Sequence, residues 1–274
     1  MRLRLRLSAL FLLFLLVLTQ PVMAAEAAKI RALADKVGPS VITVHALIEM
    51  RVGMMNQNRT YEHDVEAVGV ILDLDGTTAV GLFELDPTKL LKTMLAGNNM
   101  IKIDSELKEC SAVLSDGSEV AMAVVLKDSA MGLAILRPKE PGRSFPALPP
   151  AAGRRLQLGD HAFLVSRAPK HLASTIMVND IQVVGEVDGK QPYALLNLSQ
   201  VMSAAVCDID GQLVGVACSK EAPAPPANAG AEPDPLKSLT MGIDAKANLP
   251  IPIVLSADAV AKLVILARSK EAQK

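Results

Sequence analysis

The sequence predicts an all-β protein built from two similar β-barrels with a short helix at each end, and three observations carry that reading. Asp-Gly recurs at Asp75-Gly76, Asp116-Gly117, Asp188-Gly189 and Asp210-Gly211, each time between runs rich in β-branched residues. This dipeptide tolerates the positive φ angles of tight hairpin turns. Two of the four stretches resemble each other, VILDLDGTTAVG at residues 70–81 and AVCDIDGQLVGV at residues 205–216, as a duplicated barrel would show. Helical periodicity, by contrast, is confined to the two ends of the chain.

In chain order, Arg2, Arg4 and Arg6 form a basic n-region, Ala9 to Leu18 an apolar run, and Val22-Met23-Ala24 a small-residue cleavage site before Ala25. Together they read as a secretory signal peptide over residues 1–24 and imply an exported protein, periplasmic or extracellular. The uninterrupted apolar run is well short of the ~20 residues of a spanning helix, so no membrane insertion is expected after cleavage. Removing residues 1–24 takes away three arginines and no acids, lowering Lys+Arg from 28 to 25 against 29 Asp+Glu, a net charge of −4. That balance argues against nucleic acid as a partner. The chain contains no tryptophan, five phenylalanines and two tyrosines, so its core is built from Val, Leu, Ile, Ala and Met.

Ile30, Leu33, Ala34 and Val37 recur at helical spacing until Gly38 and Pro39 stop the pattern. The first barrel is expected to complete the unit 25–140. A proline-rich stretch, PKEPGRSFPALPPAAGR at residues 138–154, reads as an interdomain linker centred on 141–155. The second barrel and a terminal helix then occupy 156–274, interrupted by the polar, proline-rich insert EAPAPPANAGAEPDP, a flexible loop at 221–235. In the last helix Ser256 suits the N-cap and Asp258 the first turn, while Val260, Leu263, Val264 and Ala267 make an apolar stripe before a basic last turn.

Metal and redox chemistry find little support. Cys110, Cys207 and Cys218 are too few for a disulfide framework, and an odd count leaves at least one thiol over; buried free cysteines are the expectation. The acidic pairs Asp73/Asp75 and Asp208/Asp210 lack the further oxygens of a calcium loop and read as turn chemistry. Met50, Met54 and Met55 invite comparison with thioether copper sites, but a local cluster is unsurprising among 12 methionines. No HExxH, CxxC or nucleotide loop is present, and no cofactor is expected.

One segment carries a resemblance. SQVMSAAVCDIDGQLVGV, residues 199–216, is similar to the nucleophile segment GNSGGPLxxxxGxVIG of HtrA-type, trypsin-like serine proteases. Aligned through Gly211, the GNSGG turn falls on Gln200, Val201, Met202, Ser203 and Ala204. Five further pieces keep the family's order: VGPSVITV at 37–44, AVGVILDLDG at 67–76, CSAVLSDGSEVAMAVVLKDSAMGLAILR at 110–137, LQLGDHAFLVSRAP at 156–169 and IVLSADAVAKLV at 253–264. The resemblance covers most of residues 37–266 and implies two six-stranded antiparallel barrels, the trypsin-like serine protease fold, with the active-site cleft between them. Nothing after it resembles a PDZ domain.

Triad chemistry needs a nucleophile, a His to take its proton and an Asp to orient that His. In the family's register the catalytic His falls on Phe83 in TAVGLFEL, the Asp on Gly132 in DSAMGLAIL and the nucleophile on Met202. None of these side chains can do the work. The turn that forms the oxyanion hole is altered as well, with Gln200 for glycine and Val201 and Ala204 disfavouring a strained turn. Ser203 is the fallback nucleophile. Of the histidines, in the family's register His45 falls in the first strand, His63 before the second, His161 on a strand position, and His171 in a loop near the family's active site.

The expectation is therefore an exported pseudoprotease, catalytically inactive, that binds protein or unfolded peptide by adding an extended strand beside its former cleft. The alternatives are an active serine endopeptidase using Ser203 and a structural subunit of an envelope complex. The stretch between Phe83 and Cys110 exceeds the family's connection and carries a helical pattern at Lys89 to Leu95, and it is a candidate cover for the cleft or partner surface. Oligomeric state is not encoded in these motifs.

Overall fold

The computed structural model describes residues 26–54, 57–86, 88, 101–189, 191–198, 203–220 and 250–271. The expected signal peptide at residues 1–24, Met55, the pattern at 89–95, Met202 and the expected loop at 221–235 lie outside the described residues. Helix α1 (26–37) ends in a 3-10 turn, Gly38–Ser40, and leads into the first barrel. Its strands are β1 (Val41–Met54), β2 (Gln57–Ile71), β3 (Thr78–Gly81), β4 (Ile101–Val113), β5 (Glu119–Asp128) and β6 (Leu133–Pro138). The second barrel comprises β7 (His161–Arg167), β8 (Ile176–Val187), β9 (Tyr193–Leu196), β10 (Ala204–Cys207), β11 (Leu213–Lys220) and β12 (Ile251–Ser256), followed by a C-terminal helix, Ala257–Glu271.

Both barrels are closed, six-stranded and antiparallel, in the orders β1-β2-β3-β6-β5-β4 and β7-β8-β9-β12-β11-β10. The second order is the first advanced by six strands, so the duplication is real at the level of topology. The two sequence stretches that suggest it are nonetheless not equivalent: residues 70–81 form the β2–β3 turn, whereas residues 205–216 form the β10–β11 turn, whose counterpart is β4–β5. What they share is turn chemistry. Asp73 Oδ1 accepts the N–H groups of Asp75 and Thr77, at 3.1 and 2.9 Å, and Asp208 Oδ1 accepts those of Asp210 and Gln212, at 3.0 and 2.9 Å. All four Asp-Gly glycines sit in hairpin turns with positive φ, at 81°, 80°, 150° and 72°.

Period-2 alternation sorts the strands' side chains into three cores. Ile42, Val44, Ala46, Ile71, Ala134 and Leu136 fill the first barrel, and Ala162, Leu164, Ile181, Ala204 and Val206 fill the second. The residues between them along the same strands, such as Val68, Val70, Leu133 and Ile135, and Ala205 and Cys207, meet in a third core between the barrels. Leu33 and Val37 of α1 and Val260, Leu263 and Ala267 of the C-terminal helix complete it. Ala259 N–H reaches Ser256 Oγ at 3.4 Å, the N-cap contact the sequence predicts.

The helices differ from the sequence reading. Helices are not confined to the ends: a four-residue helix, α2 (Leu82–Leu85), follows β3, so the terminal helix is α3. LFEL is too short for a helical period to register; it is fixed by tertiary bonds, with Leu82 N–H donating to Gly132 O at 2.8 Å. The connection between the barrels carries no strand but is not loose. Phe145 and Leu148 are buried, Leu148 N–H binds Ile71 O of the first barrel, and Ala151 N–H binds Leu213 O of the second, both at 2.9 Å.

Candidate functional site

Three positions that the family's register singles out converge between the barrels. Phe83 lies in α2 and Gly132 in the β5–β6 turn, and the hydrogen bond from Leu82 to Gly132 holds these two segments together. Ser203 enters from the second barrel at the start of β10, and its Oγ accepts the N–H of Gly81 at the end of β3. Met202, the nucleophile position, lies outside the described residues, as do Gln200 and Val201.

The group at the centre is Glu84, which sequence reasoning passes over. One turn of α2 carries it inward, where Oε1 accepts both the backbone N–H of Ser203 and its Oγ–H, the latter at 2.9 Å. Oε2 accepts Val68 N–H at 3.4 Å. Burial pushes the Glu84 carboxyl up to about 7, against the pull of the Ser203 and Val68 donors. Gly81 makes room for the arrangement, since a Cβ there would collide with Ser203 Oγ and stand 2.8 Å from Glu84 Oε1. The only sequence signal for Glu84 is an acid inside the apolar run TAVGLFEL, a pattern that more often marks a solvated helix face.

No described histidine takes part. His45 lies on β1 and His63 within β2, not before it, because β2 begins at Gln57 and pairs His63 with Ile48; His161 faces Asp180 across an exposed 3.2 Å contact, and His171 sits exposed in the 3-10 turn Lys170–Leu172. At Gly132, with φ 72°, a Cβ would stand 2.5 Å from the carbonyl of Ser219, so this backbone admits no side chain where the register expects the orienting Asp. Ser203 is 0% exposed, and its hydroxyl is engaged as both donor and acceptor. The geometry joins the barrels and holds one buried proton near neutrality; it does not present a nucleophile to solvent.

The cysteines are free and buried. Burial pushes the thiols of Cys110 and Cys207 up to about 11 and about 12, and raises that of Cys218 as well, where Glu84 adds to the effect. All three are inert as nucleophiles at neutral pH. Among the described residues no three His, Cys, Asp or Glu side chains group as a metal site. The paired double barrel fits a chymotrypsin-like fold. No family model and no curated protein matches the chain.

Proposed function

We propose that this chain is an exported pseudoprotease of the HtrA-like, trypsin-like kind, a double barrel whose catalytic site has been replaced by a structural contact and which binds protein or peptide. The Glu84–Ser203 contact carries the reading: one residue beyond the positions where the resemblance puts a nucleophile and its base, a fully buried serine is bonded to an inward-facing carboxyl and a backbone N–H. The triad positions themselves, one residue before Glu84 and Ser203 in two cases, carry Phe83, Met202 and Gly132. Export rests on the basic n-region and the apolar run of residues 1–24, and peptide binding on what such a scaffold can do without chemistry.

One observation favours a second reading, a serine endopeptidase with Ser203 as nucleophile. Its Oγ lies 2.9 Å from a carboxylate whose proton affinity suits a general base. Against it stands the complete burial of Ser203. Degradation of an unfolded protein substrate, run beside Ser203→Ala and with a serine-reactive fluorophosphonate, separates the two. The pseudoprotease neither cleaves nor labels; cleavage and labelling that both vanish in the variant establish the endopeptidase. Pull-down from the envelope addresses the third possibility, in which a single stoichiometric partner marks a structural subunit and a spectrum of unfolded chains marks a peptide binder.

A further inference from the structure

The first barrel is closed through only a short stretch of its β4–β5 pair. These strands bond at Ser111↔Ala121, Ala112↔Val120 and Val113↔Glu119 and then diverge. Beyond that point β4 continues back to Ile101 paired with β1, and β5 continues to Asp128 paired with β6. The segments Ser105–Cys110 and Met122–Lys127 therefore face each other across a cleft of about 530 Å³. Alternate residues of a strand turn their N–H and C=O groups to opposite edges, so each segment directs backbone donors and acceptors into this gap. Such edges template the pairing of a further strand.

The cleft has a distinct floor and rim. Leu107, Cys110, Met122 and Val124, all of the first barrel's core, form the floor, with Leu107 and Val124 half-buried. At the rim, Glu106 and Lys108 neutralise each other at 3.0 Å. Lys127 and Lys139 are exposed and have no ion-pair partner among the described residues, leaving two cations against Glu109. A strand lying here sets every second side chain on the apolar floor and the others among those cations.

We propose that the gap between β4 and β5 takes up an extended segment of another protein, one that alternates apolar residues with polar residues that include acids. This inference rests on the peptide-binding reading and moves the binding place from the cleft between the barrels to a gap within the first barrel.

The test uses the full mature chain and two probes, a fluorescein-labelled octapeptide DVTVEVTV, with KVTVKVTV as its charge-reversed control, and unfolded carboxymethylated lactalbumin. The expected result is at least tenfold tighter binding of the acidic peptide. Amide exchange slows at least tenfold at Ser105–Cys110 and Met122–Lys127, and the preference inverts in the double variant Lys127→Glu, Lys139→Glu. Both lysines are exposed, and an unchanged far-ultraviolet spectrum confirms that the variant folds. If lactalbumin or the peptide binds while exchange in the gap stays unchanged and the lysine variant behaves as wild type, the proposal falls and the peptide-binding reading stands. If neither probe binds, both fall. If the gap is already protected in the free chain and opens when residues 221–249 are deleted, the occupant is the chain itself and the proposal is again overturned.

Discussion

Glu84 is a half-buried acid whose carboxyl is held between the barrels, and its proton couples their junction to pH. Its carboxyl has a pKa of about 7 in the folded chain against 4.5 in an exposed one, so the folded state binds more protons across that interval. The associated stability is present in full below about pH 4.5, is lost as pH rises through about 7, and amounts to about 3 kcal/mol. Urea midpoints measured from pH 5 to 8 should fall with rising pH in the wild type and lose that slope in Glu84→Gln. Gly132 offers a second check at this scale. Gly132→Ala meets both a left-handed backbone and the Ser219 carbonyl 2.5 Å away, whereas Gly117→Ala meets a φ of 80° with open space around it. The first should cost about 3 kcal/mol or more and the second about 1 kcal/mol, read by thermal denaturation. An Asp at position 132 is excluded for the same reason, so restoring the family's residues one at a time would not rebuild a triad.

At the scale of elements, the Asp-Gly hairpins were legible because their signal is local. A carboxylate three residues before the glycine, or the dipeptide itself, fixes the turn without help from distant residues. Asp73→Ala should remove the acceptor of two N–H groups and the 2.8 Å ion pair with Arg268, costing about 2 kcal/mol in denaturant unfolding. Millimolar calcium should leave the melting temperature of the wild type unchanged. The terminal helices were legible from their periodic stripes and stop signals. Helix α2 was not, because four residues carry no period, and Glu84 was missed with it, since its burial is decided by Ser203, far away in sequence. The similarity of residues 70–81 to 205–216 pointed to the right architecture through positions that are not equivalent. Its cause is an Asp that caps a turn in both places.

For the whole molecule, the core between the barrels matters as much as the two inside them. Helix α3 lies across it and is tied to the first barrel by Arg268–Asp73 and Arg137–Glu271. Arg167 of β7 reaches back to the carbonyls of Val41 and Gly38 at the entrance of the first barrel. Leu263→Ala, at a site 3% exposed, should cost about 3 kcal/mol. Amide protection should fall in both barrels together, because the lost contacts belong to neither alone. The resemblance to a protease family foretold this layout, yet it says nothing about the gap between β4 and β5, which depends on where a ladder stops and not on any motif.

The shared core also bears on how this chain divides. Cut in the exposed stretch Glu140–Ser144, each half would keep a complete ring of strands but carry an uncovered apolar flank: Val68, Val70, Leu133 and Ile135 on one side, and Ala205, Val216, Ile253 and the stripe of α3 on the other. Neither fragment would remain soluble unaided, while co-expressed halves would recover each other through a surface made for nothing else. The protein thus has the makings of a two-part complementation reporter, in which reassembly is driven by burial of the flank that the two rings share.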